Sequence, residues 1–238
     1  MESLRGSVKM EEPRKIVIVG EGETAELAYE YFTHDSPHEV VAFAVEREYA
    51  KKQSLFDLPV VPFEEMEITY DPAEHSAFVA ISYTKLNRVR ERLYLETKRK
   101  GYPVVSYVSS RAFVWHNVEL GENCFIMENN VVQYSVRIGN NVVLWSGNHV
   151  GHQTVIHDNV FVSSHVVISG YCEIGENCFL GVNSSIANNV RIARDNLIGM
   201  GAVITKDTEE RKVYVGNPAK PIKDSFVVYG LAGTEAAG

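Results

Sequence analysis

Residues 132–168 read VQYSVRIGNNVVLWSGNHVGHQTVIHDNVFVSSHVVI, with a Val, Ile or Leu at every sixth position. The same spacing runs from Val114 to Ile204, and all sixteen of its positions hold one of these three residues. If such residues filled about one position in four, this run would arise by chance with a probability on the order of 10⁻¹⁰. A period of six therefore organises the second half of the chain.

Two further positions of each hexapeptide follow rules. The third residue after the aliphatic one is often Asn or Gly, which tolerate the left-handed backbone of a tight turn. The fourth is mostly small, and Cys124, Cys172 and Cys178 all occupy it. Short strands joined by tight turns predict a parallel β-helix of triangular cross-section, with three hexapeptides in each 18-residue coil. The cysteines are then predicted to pack in its interior rather than to form disulfides.

This repeat resembles the left-handed parallel β-helix of the hexapeptide-repeat acyltransferases over residues 110–222, and the left-handed sense is implied by that resemblance. The segment VYVGNPAK at residues 213–220 is similar to the element that closes the repeat in that family. We therefore expect a left-handed β-helix acyltransferase domain over residues 109–224, followed by a loose tail over residues 225–238.

The first half of the chain alternates strand-like and helix-like segments. KIVIVG at residues 15–20 predicts a strand, and the following pattern predicts a helix through Phe32. Further strands are predicted at residues 40–45, 60–61 and 78–82, and a helix at residues 85–100. The alternation predicts an α/β, Rossmann-like domain over residues 14–108.

A ligand of such a domain lies beyond the carboxyl ends of its strands. The turn Gly20-Glu21-Gly22 either holds a phosphate at the N-terminus of the following helix or is an ordinary tight turn. Arg47 is predicted to pair with a phosphate and Tyr83 to stack on a base. The candidate substrate-binding residues of this half are Gly22, Glu23, Thr24, Glu46, Arg47, Ser82 and Tyr83.

An α/β domain of this kind joined to a hexapeptide β-helix resembles the bacterial nucleotide-sugar N-acetyltransferases and the sialic acid O-acyltransferase type. The resemblance covers nearly all of the chain beyond residue 14, with Glu21 and Thr24 standing where that family carries small residues and a His. It implies a nucleotide-sugar site in the first domain. It also implies acetyl-CoA as co-substrate, bound between neighbouring subunits of a homotrimer.

Histidines are concentrated near the middle of the repeat, at His149, His152, His157 and His165. Acyl transfer from a thioester needs a base for the proton of the attacking group, and imidazole suits this role near neutral pH. The resemblance places the catalytic histidine at His152. The next residue is Gln153 where the family has a carboxylate, so we expect its amide to orient the ring, with Asp158 as a candidate substitute for the carboxylate. His165 is a candidate substrate ligand.

The resemblance implies contacts with acetyl-CoA along the later coils, and Lys206 and Lys220 are cations that can pair with CoA phosphates. The expected activity is N-acetylation of a nucleotide-linked amino sugar with His152 as general base. The sequence leaves open the nucleotide, the sugar, the acyl chain, and transfer to nitrogen rather than to a hydroxyl oxygen. The candidate cofactor-binding residues are Phe161, Gly170, Val182, Met200, Lys206 and Lys220.

Two other interpretations compete. His152 and His157 have the H-x₄-H spacing of the γ-class carbonic anhydrases, which are zinc enzymes with the same β-helix. However, His116 lies two coils before His152, about 9.6 Å away, whereas zinc holds its nitrogen ligands at about 2.1 Å. We therefore expect no metal site. A non-catalytic trimeric scaffold is the second alternative, in which Trp115 and Trp145 pack against other subunits.

The composition narrows the choice of partners. The chain has 238 residues and a net charge of −8, which opposes binding to a nucleic acid backbone. It contains no apolar run of the roughly 18 residues that a membrane span requires, and its polar N-terminus predicts no signal peptide. We accordingly expect a soluble, cytoplasmic protein with neither a nucleic acid nor a membrane partner.

Overall fold

The computed structural model describes residues 12–232. The polar N-terminal segment, for which no signal peptide is predicted, lies mostly outside the described residues, as do residues 233–238 of the predicted tail. Within the described part of the chain, no helix is both long and apolar enough to cross a membrane.

The N-terminal half is a five-stranded sheet with flanking helices. The sheet order is β3 (Ser54–Leu55), β4 (Leu58–Pro62), β2 (Glu39–Val45), β1 (Lys15–Val19) and β5 (His75–Val79). Strand β3 runs antiparallel to β4, and the other neighbours are parallel. The alternation of strands and helices follows the prediction, although the sheet is mixed rather than wholly parallel. The other elements are α1 (Glu23–Asp35), a 3-10 turn (Phe63–Glu65), α2 (Met66–Thr69) and α3 (Arg88–Arg99).

Two element boundaries differ from the prediction, for physical reasons. Strand β5 ends at Val79 rather than residue 82, because its partner β1 ends at Val19, the residue paired with Val79. There the Val79 backbone N–H donates to Asn123 Oδ1 at 2.7 Å and its carbonyl accepts from Asn123 Nδ2 at 3.2 Å. Helix α3 begins at Arg88 rather than residue 85, because Lys85, Leu86 and Asn87 all have positive φ. A right-handed helix cannot include residues in the left-handed region.

The period of six builds a β-helix of three sheets with parallel strands. Each hexapeptide contributes a two-residue strand ending on its aliphatic residue, whose side chain points inward while its predecessor points outward. The aliphatic residues from Ile126 to Ile204 are all buried, and Val114 and Leu120 are partly buried. The predicted parallel β-helix is thus confirmed, and its parallel sheets are consistent with the left-handed form.

We name the three faces of the β-helix by their outer side. The covered face lies beneath the N-terminal half and consists of the parallel strands β6 (Tyr107–Val108), β9 (Phe125–Ile126), β12 (Val143–Leu144), β15 (Phe161–Val162), β18 (Phe179–Leu180), β21 (Leu197–Ile198) and β23 (Lys212–Gly216). After the repeat, β24 (Ala219–Asp224) extends this sheet and runs antiparallel to β23. The apolar face consists of β7 (Phe113–Val114), β10 (Val131–Val132), β13 (His149–Val150), β16 (Val167–Ile168), β19 (Ser185–Ile186) and β22 (Val203–Ile204). The charged face consists of β8 (Glu119–Leu120), β11 (Arg137–Ile138), β14 (Val155–Ile156), β17 (Glu173–Ile174) and β20 (Arg191–Ile192).

The corners between these faces use the predicted left-handed backbone. From Asn123 to Gly201, the third residue after each aliphatic one has a φ between 53° and 79°. Cys124, Cys172 and Cys178 lie beside these corners in the buried core, as predicted. Burial raises the pKa of the Cys124 and Cys178 thiols to about 12, so both stay protonated and unreactive near neutral pH.

The corner between the charged and covered faces attaches the N-terminal half. There, Asn123 donates to Asn141 at 2.8 Å and Asn141 donates to Asn159 at 2.7 Å, which forms a buried ladder of amides. Asn123 binds the end of β5, and Asn87 donates to the Asn177 carbonyl at 3.2 Å. The residues that turn the backbone at this corner therefore also join the two halves of the chain.

Arg90 on α3 lies within this interface and is 1% exposed. Its guanidinium donates to Asn141 Oδ1 at 3.2 Å, to the Asn159 carbonyl at 3.0 Å and to the Ser82 carbonyl at 3.1 Å. Desolvation lowers the pKa of Arg90 to about 9, so the side chain still carries its charge at neutral pH. No carboxylate binds it among the described residues, so amide and carbonyl oxygens satisfy its donors.

Two of the expected boundaries of the second half require correction. The covered face begins with β6, at Tyr107, so the β-helix starts slightly before residue 109. The first part of the predicted loose tail is packed: helix α4 (Ser225–Val228) places Phe226 beside Leu86, and Ser225 Oγ donates to the Asp195 carbonyl at 2.6 Å. Leu86 belongs to the loop before α3, in which the backbone is left-handed. The composition of the tail does not reveal its contact with Leu86.

We expect Arg90→Ala to lower the free energy of unfolding by about 3 kcal/mol, because it leaves several buried oxygens without a donor. Arg92→Ala on the same helix is the matched control. Arg92 is exposed and pairs with Glu46, so its loss should cost less than about 1 kcal/mol. Urea unfolding followed by circular dichroism measures both values, and equal losses would contradict the role given to Arg90.

Candidate functional site

His152 lies at the corner between the apolar and charged faces, immediately after β13. This corner is opposite the covered face, so the N-terminal half of the same chain lies on the other side of the β-helix. The backbone N–H of His152 donates to Gln133 Oε1 at 2.9 Å. The imidazole is half-buried, which leaves it in reach of a ligand.

The His152 ring is enclosed by the coils before and after it. It stacks on Tyr134 with a centroid distance of 5.5 Å, and Tyr171 meets it edge-on at 4.9 Å. On the third side is Gly170, where a Cβ atom would lie 2.5 Å from His152 Cε1 and 2.8 Å from Nε2. Only glycine leaves room for the imidazole in this orientation.

The residues expected to assist His152 lie elsewhere. The Gln153 amide donates to the Tyr134 hydroxyl at 3.4 Å and makes no hydrogen bond to the His152 ring, contrary to the expected orienting role. Asp158 lies at the corner beside the covered face, where it accepts from the Asn140 backbone at 2.7 Å. It therefore does not substitute for the missing carboxylate.

His165 is separated from His152 by the width of the apolar face. It occupies the corner next to the covered face, with a φ of 58°, and its ring lies over Gly147, where a Cβ would be 2.6 Å from His165 Cε1. At the same corner Glu128 accepts from Ser146 at 2.6 Å and from Tyr31 of the N-terminal half at 2.5 Å. One chain thus does not bring His165 and His152 to a common site.

The predicted acetyl-CoA contacts divide into two groups. Val182 and Met200 are 41% and 81% exposed and stand one above the other at the corner next to His165, and Lys206 and Lys220 are also exposed. In contrast, Phe161 is 3% exposed on the covered face, where the Tyr83 ring packs against it with a centroid distance of 5.2 Å. Phe161 is therefore part of the interface with the N-terminal half rather than an open ligand contact.

The predicted residues of the N-terminal half meet at one edge of its sheet. Strands β1, β2 and β5 end there, and Gly20 allows their close approach because a Cβ would lie 2.8 Å from the Ala80 carbonyl oxygen. Gly22, Glu23 and Thr24 begin α1 at this edge, and Ser82 follows β5. The topology therefore places these candidates side by side.

Several of the charged groups at this edge already have partners. Arg47 binds Glu65 at 2.6 Å, and Glu46 binds Arg92 through two contacts of 2.8 Å. The hydrogen bonds that Arg92 donates to Glu46 are the main reason that the pKa of Arg92 is raised. Glu21 accepts from the Lys51 backbone at 2.8 Å, so this carboxylate holds the loop after β2. The Tyr83 ring, predicted to stack on a base, contacts Phe179 with a centroid distance of 4.7 Å and remains partly exposed.

Tyr134 and Tyr171 are not among the site residues predicted from the sequence. A signal was present, because corner positions near His152 hold Ser135, Gln153 and Tyr171 where most other corners hold Asn or Gly. Non-glycine residues held in the left-handed region concentrate at functional sites. Corner positions that hold neither Asn nor Gly therefore point to the part of the β-helix around His152.

The family "Bacterial transferase hexapeptide (six repeats)" matches residues 135–170 and again residues 171–206. The two matched segments are similar to the repeats of that family and cover only part of the β-helix. No curated protein sequence matches the chain.

Several solved structures share the fold along most of the chain. The acetyltransferase domain of PglB from Neisseria gonorrhoeae FA1090 is 23% identical, with a TM-score of 0.80 over 88% of this chain and 100% of its own. A histidine-to-asparagine mutant of perosamine N-acetyltransferase from Caulobacter crescentus, in complex with CoA and GDP-perosamine, is 24% identical, with a TM-score of 0.80 over 88% and 97%. WeeI from Acinetobacter baumannii AYE is 20% identical, with a TM-score of 0.54 over 89% and 100%. At these identities the likeness is one of fold.

Gly170→Ala should displace the His152 imidazole, since the new methyl group would overlap its Cε1 edge. We expect the His152 ring resonances in an NMR spectrum to shift while the fold is retained, because a side chain can yield. Gly151→Ala is the comparison: its Cβ would lie 2.5 Å from the Gly170 backbone nitrogen, so it should destabilise the coil by about 1 to 3 kcal/mol. Unchanged His152 resonances in Gly170→Ala would contradict the close packing described above.

Proposed function

We propose that this protein is an acetyl-CoA-dependent N-acetyltransferase that acts on the amino group of a nucleotide-linked amino sugar. His152 is its general base. The observation that carries the proposal is the placement of a ligand-accessible imidazole over Gly170 in a β-helix whose repeats are similar to transferase hexapeptides. The fold neighbours support the substrates, since they include complexes with acetyl coenzyme A and with CoA and GDP-perosamine.

The proposed reaction needs one base at the attacking group. The substrate nitrogen forms a bond to the acetyl carbonyl carbon, the carbon–sulfur bond of the thioester breaks, and CoA leaves as its thiol. His152 accepts the proton that the nitrogen loses and can return it to the departing sulfur.

The two substrates are assigned to different parts of the chain. Val182 and Met200 offer an exposed apolar strip for the pantetheine arm of acetyl-CoA, and Lys206 and Lys220 offer cations for its phosphates. The edge formed by Gly22, Glu23, Thr24, Glu46, Arg47, Ser82 and Tyr83 is proposed for the nucleotide sugar. Binding there requires Arg47 to exchange its Glu65 partner for a phosphate.

A second copy of the chain is required to complete this site. The nucleotide-binding edge belongs to the half that lies on the covered face, whereas His152 lies at the opposite corner. The apolar face, with Phe113 and Val167 exposed, is suited to meet another copy, whereas the charged face presents residues such as Glu173 and Arg191. We propose a homotrimer in which neighbouring chains share each active site.

The alternatives receive less support. In the part of the chain that the structure describes, no three His, Cys, Asp or Glu side chains are grouped so that they can hold a metal ion. His157 instead lies 2.9 Å from Glu173 on the charged face. Transfer to a sugar hydroxyl uses the same base, so O-acetylation is distinguished only by the acceptor. A scaffold would not release thiol from acetyl-CoA.

We expect His152→Ala to reduce acetyl transfer by at least about 100-fold, because the amine loses its proton acceptor. Thiol release from acetyl-CoA is measured across a panel of nucleotide-linked amino sugars, with the matching hydroxy sugars as the test of O-acetylation. The variant should keep the oligomeric state of the wild type, which separates catalysis from assembly. Near-normal turnover by His152→Ala would refute the assignment of the base.

We expect Val167→Glu to break the assembly and abolish activity although His152 is intact, since it places a charge in the middle of the apolar face. Val155→Glu is the matched control, because Val155 is the corresponding outward residue on the charged face. Light scattering should show three copies for the wild type and Val155→Glu and one for Val167→Glu. An active Val167→Glu monomer would show that one chain forms a complete site.

A further inference from the structure

The orientation of His152 is not fixed by a hydrogen bond to its ring. Its Nδ1 atom is buried and has no partner among the described residues. A general base is ordinarily oriented by a carboxylate or carbonyl at this nitrogen. In this chain the residue that follows is Gln153, whose amide is directed to the Tyr134 hydroxyl.

Two aromatic rings contact the imidazole in place of a hydrogen-bond partner. The Tyr134 ring is nearly parallel to it, with an interplanar angle of 17°, and the Tyr171 ring is nearly perpendicular, at 83°. Stacked and edge-to-face arrangements at centroid distances of about 4.5 to 7 Å are the favourable geometries for such rings. With Gly170 beneath the Cε1 edge, the ring is restrained on three sides.

The backbone conformation of Tyr171 is unfavourable for a tyrosine. Tyr171 turns a corner with a φ of 58°, a conformation for which the equivalent corners at Asn177, Asn183 and Asn189 use asparagine. A bulky residue is disfavoured in the left-handed region, whereas asparagine is tolerated there. Tyr171 is also 51% exposed, so burial does not account for an aromatic residue at this corner.

We propose that Tyr134 and Tyr171 are positioning residues that hold the His152 imidazole between their rings and so replace an orienting carboxylate. The inference rests on the proposed role of His152 as the base. The two tyrosines touch neither substrate in this scheme, and they act only through the imidazole. Misplacing a base by about 1 Å costs on the order of 100-fold in rate.

The decisive variant is Tyr171→Asn, because it should lower kcat without lowering the stability of the fold. Asparagine suits this corner, so the melting temperature should be equal to or higher than that of the wild type. The loss of the ring should lower kcat roughly 10- to 100-fold while the KM for acetyl-CoA changes little. Tyr134→Ala should lower kcat to a similar extent, and Tyr171→Phe and Tyr134→Phe should restore most of it because they keep the rings.

A second readout does not depend on activity. Diethyl pyrocarbonate modifies unprotonated imidazoles, and peptide mass spectrometry measures the rate at His152 against the exposed His34 as an internal standard. Tyr134→Ala and Tyr171→Asn should raise the His152 rate several-fold, since the ring is no longer enclosed. Leu95→Ala, which shortens an exposed apolar residue on α3, should leave both kcat and the modification rate unchanged.

The outcomes separate this inference from the proposed function. If His152→Ala is inactive while Tyr134→Ala and Tyr171→Asn keep the wild-type kcat, the tyrosines do not position the base and the inference fails alone. If His152→Ala remains active, the proposed function fails, and the modification rate still tests whether the rings restrain His152. An unchanged rate in both tyrosine variants would overturn the inference in either case.

Discussion

The left-handed backbone conformation that recurs every six residues is the constraint on which the rest of the structure depends. Each such residue turns the chain through one corner, and three corners return it to lie one strand spacing above its starting point. Side chains six residues apart consequently point in equivalent directions, and those 18 residues apart lie directly above one another. This stacking brings Tyr134, His152 and Gly170 into contact although they are distant in the sequence.

The three corners share a backbone geometry and differ in what their side chains do. Between the charged and covered faces, asparagines turn the chain and also form the buried ladder that receives Arg90. Between the apolar and charged faces, Gln153 and Tyr171 occupy the same conformation beside His152. One corner therefore attaches the N-terminal half, whereas the corner that carries the candidate base lies across the β-helix from the covered face. That opposition is the reason that a second chain is needed in the proposed site.

The attachment of the N-terminal half also shapes the candidate nucleotide edge. Arg90 binds the Ser82 carbonyl, Asn123 binds the end of β5, and Tyr83 packs on Phe161 and Phe179. The loop after β5 is thus fixed by the β-helix and not by its own sheet alone. The residues predicted to bind a nucleotide sit on an edge whose position is set by the other half of the molecule.

The sequence by itself determined the β-helix, its buried aliphatic residues, the interior cysteines and the outward-facing position of His152, because a strict period of six permits few other arrangements. It also predicted the alternation of strands and helices in the first half, with errors at β5 and α3 where tertiary contacts override local propensity. Only the tertiary structure decided that Gln153 and Asp158 do not bind the His152 ring, that His165 belongs to another corner and that Phe161 is covered. The physical reason is that a residue's place in the hexapeptide fixes its direction from the axis, whereas its neighbours come from coils 18 residues away and from the half of the chain that packs on one face.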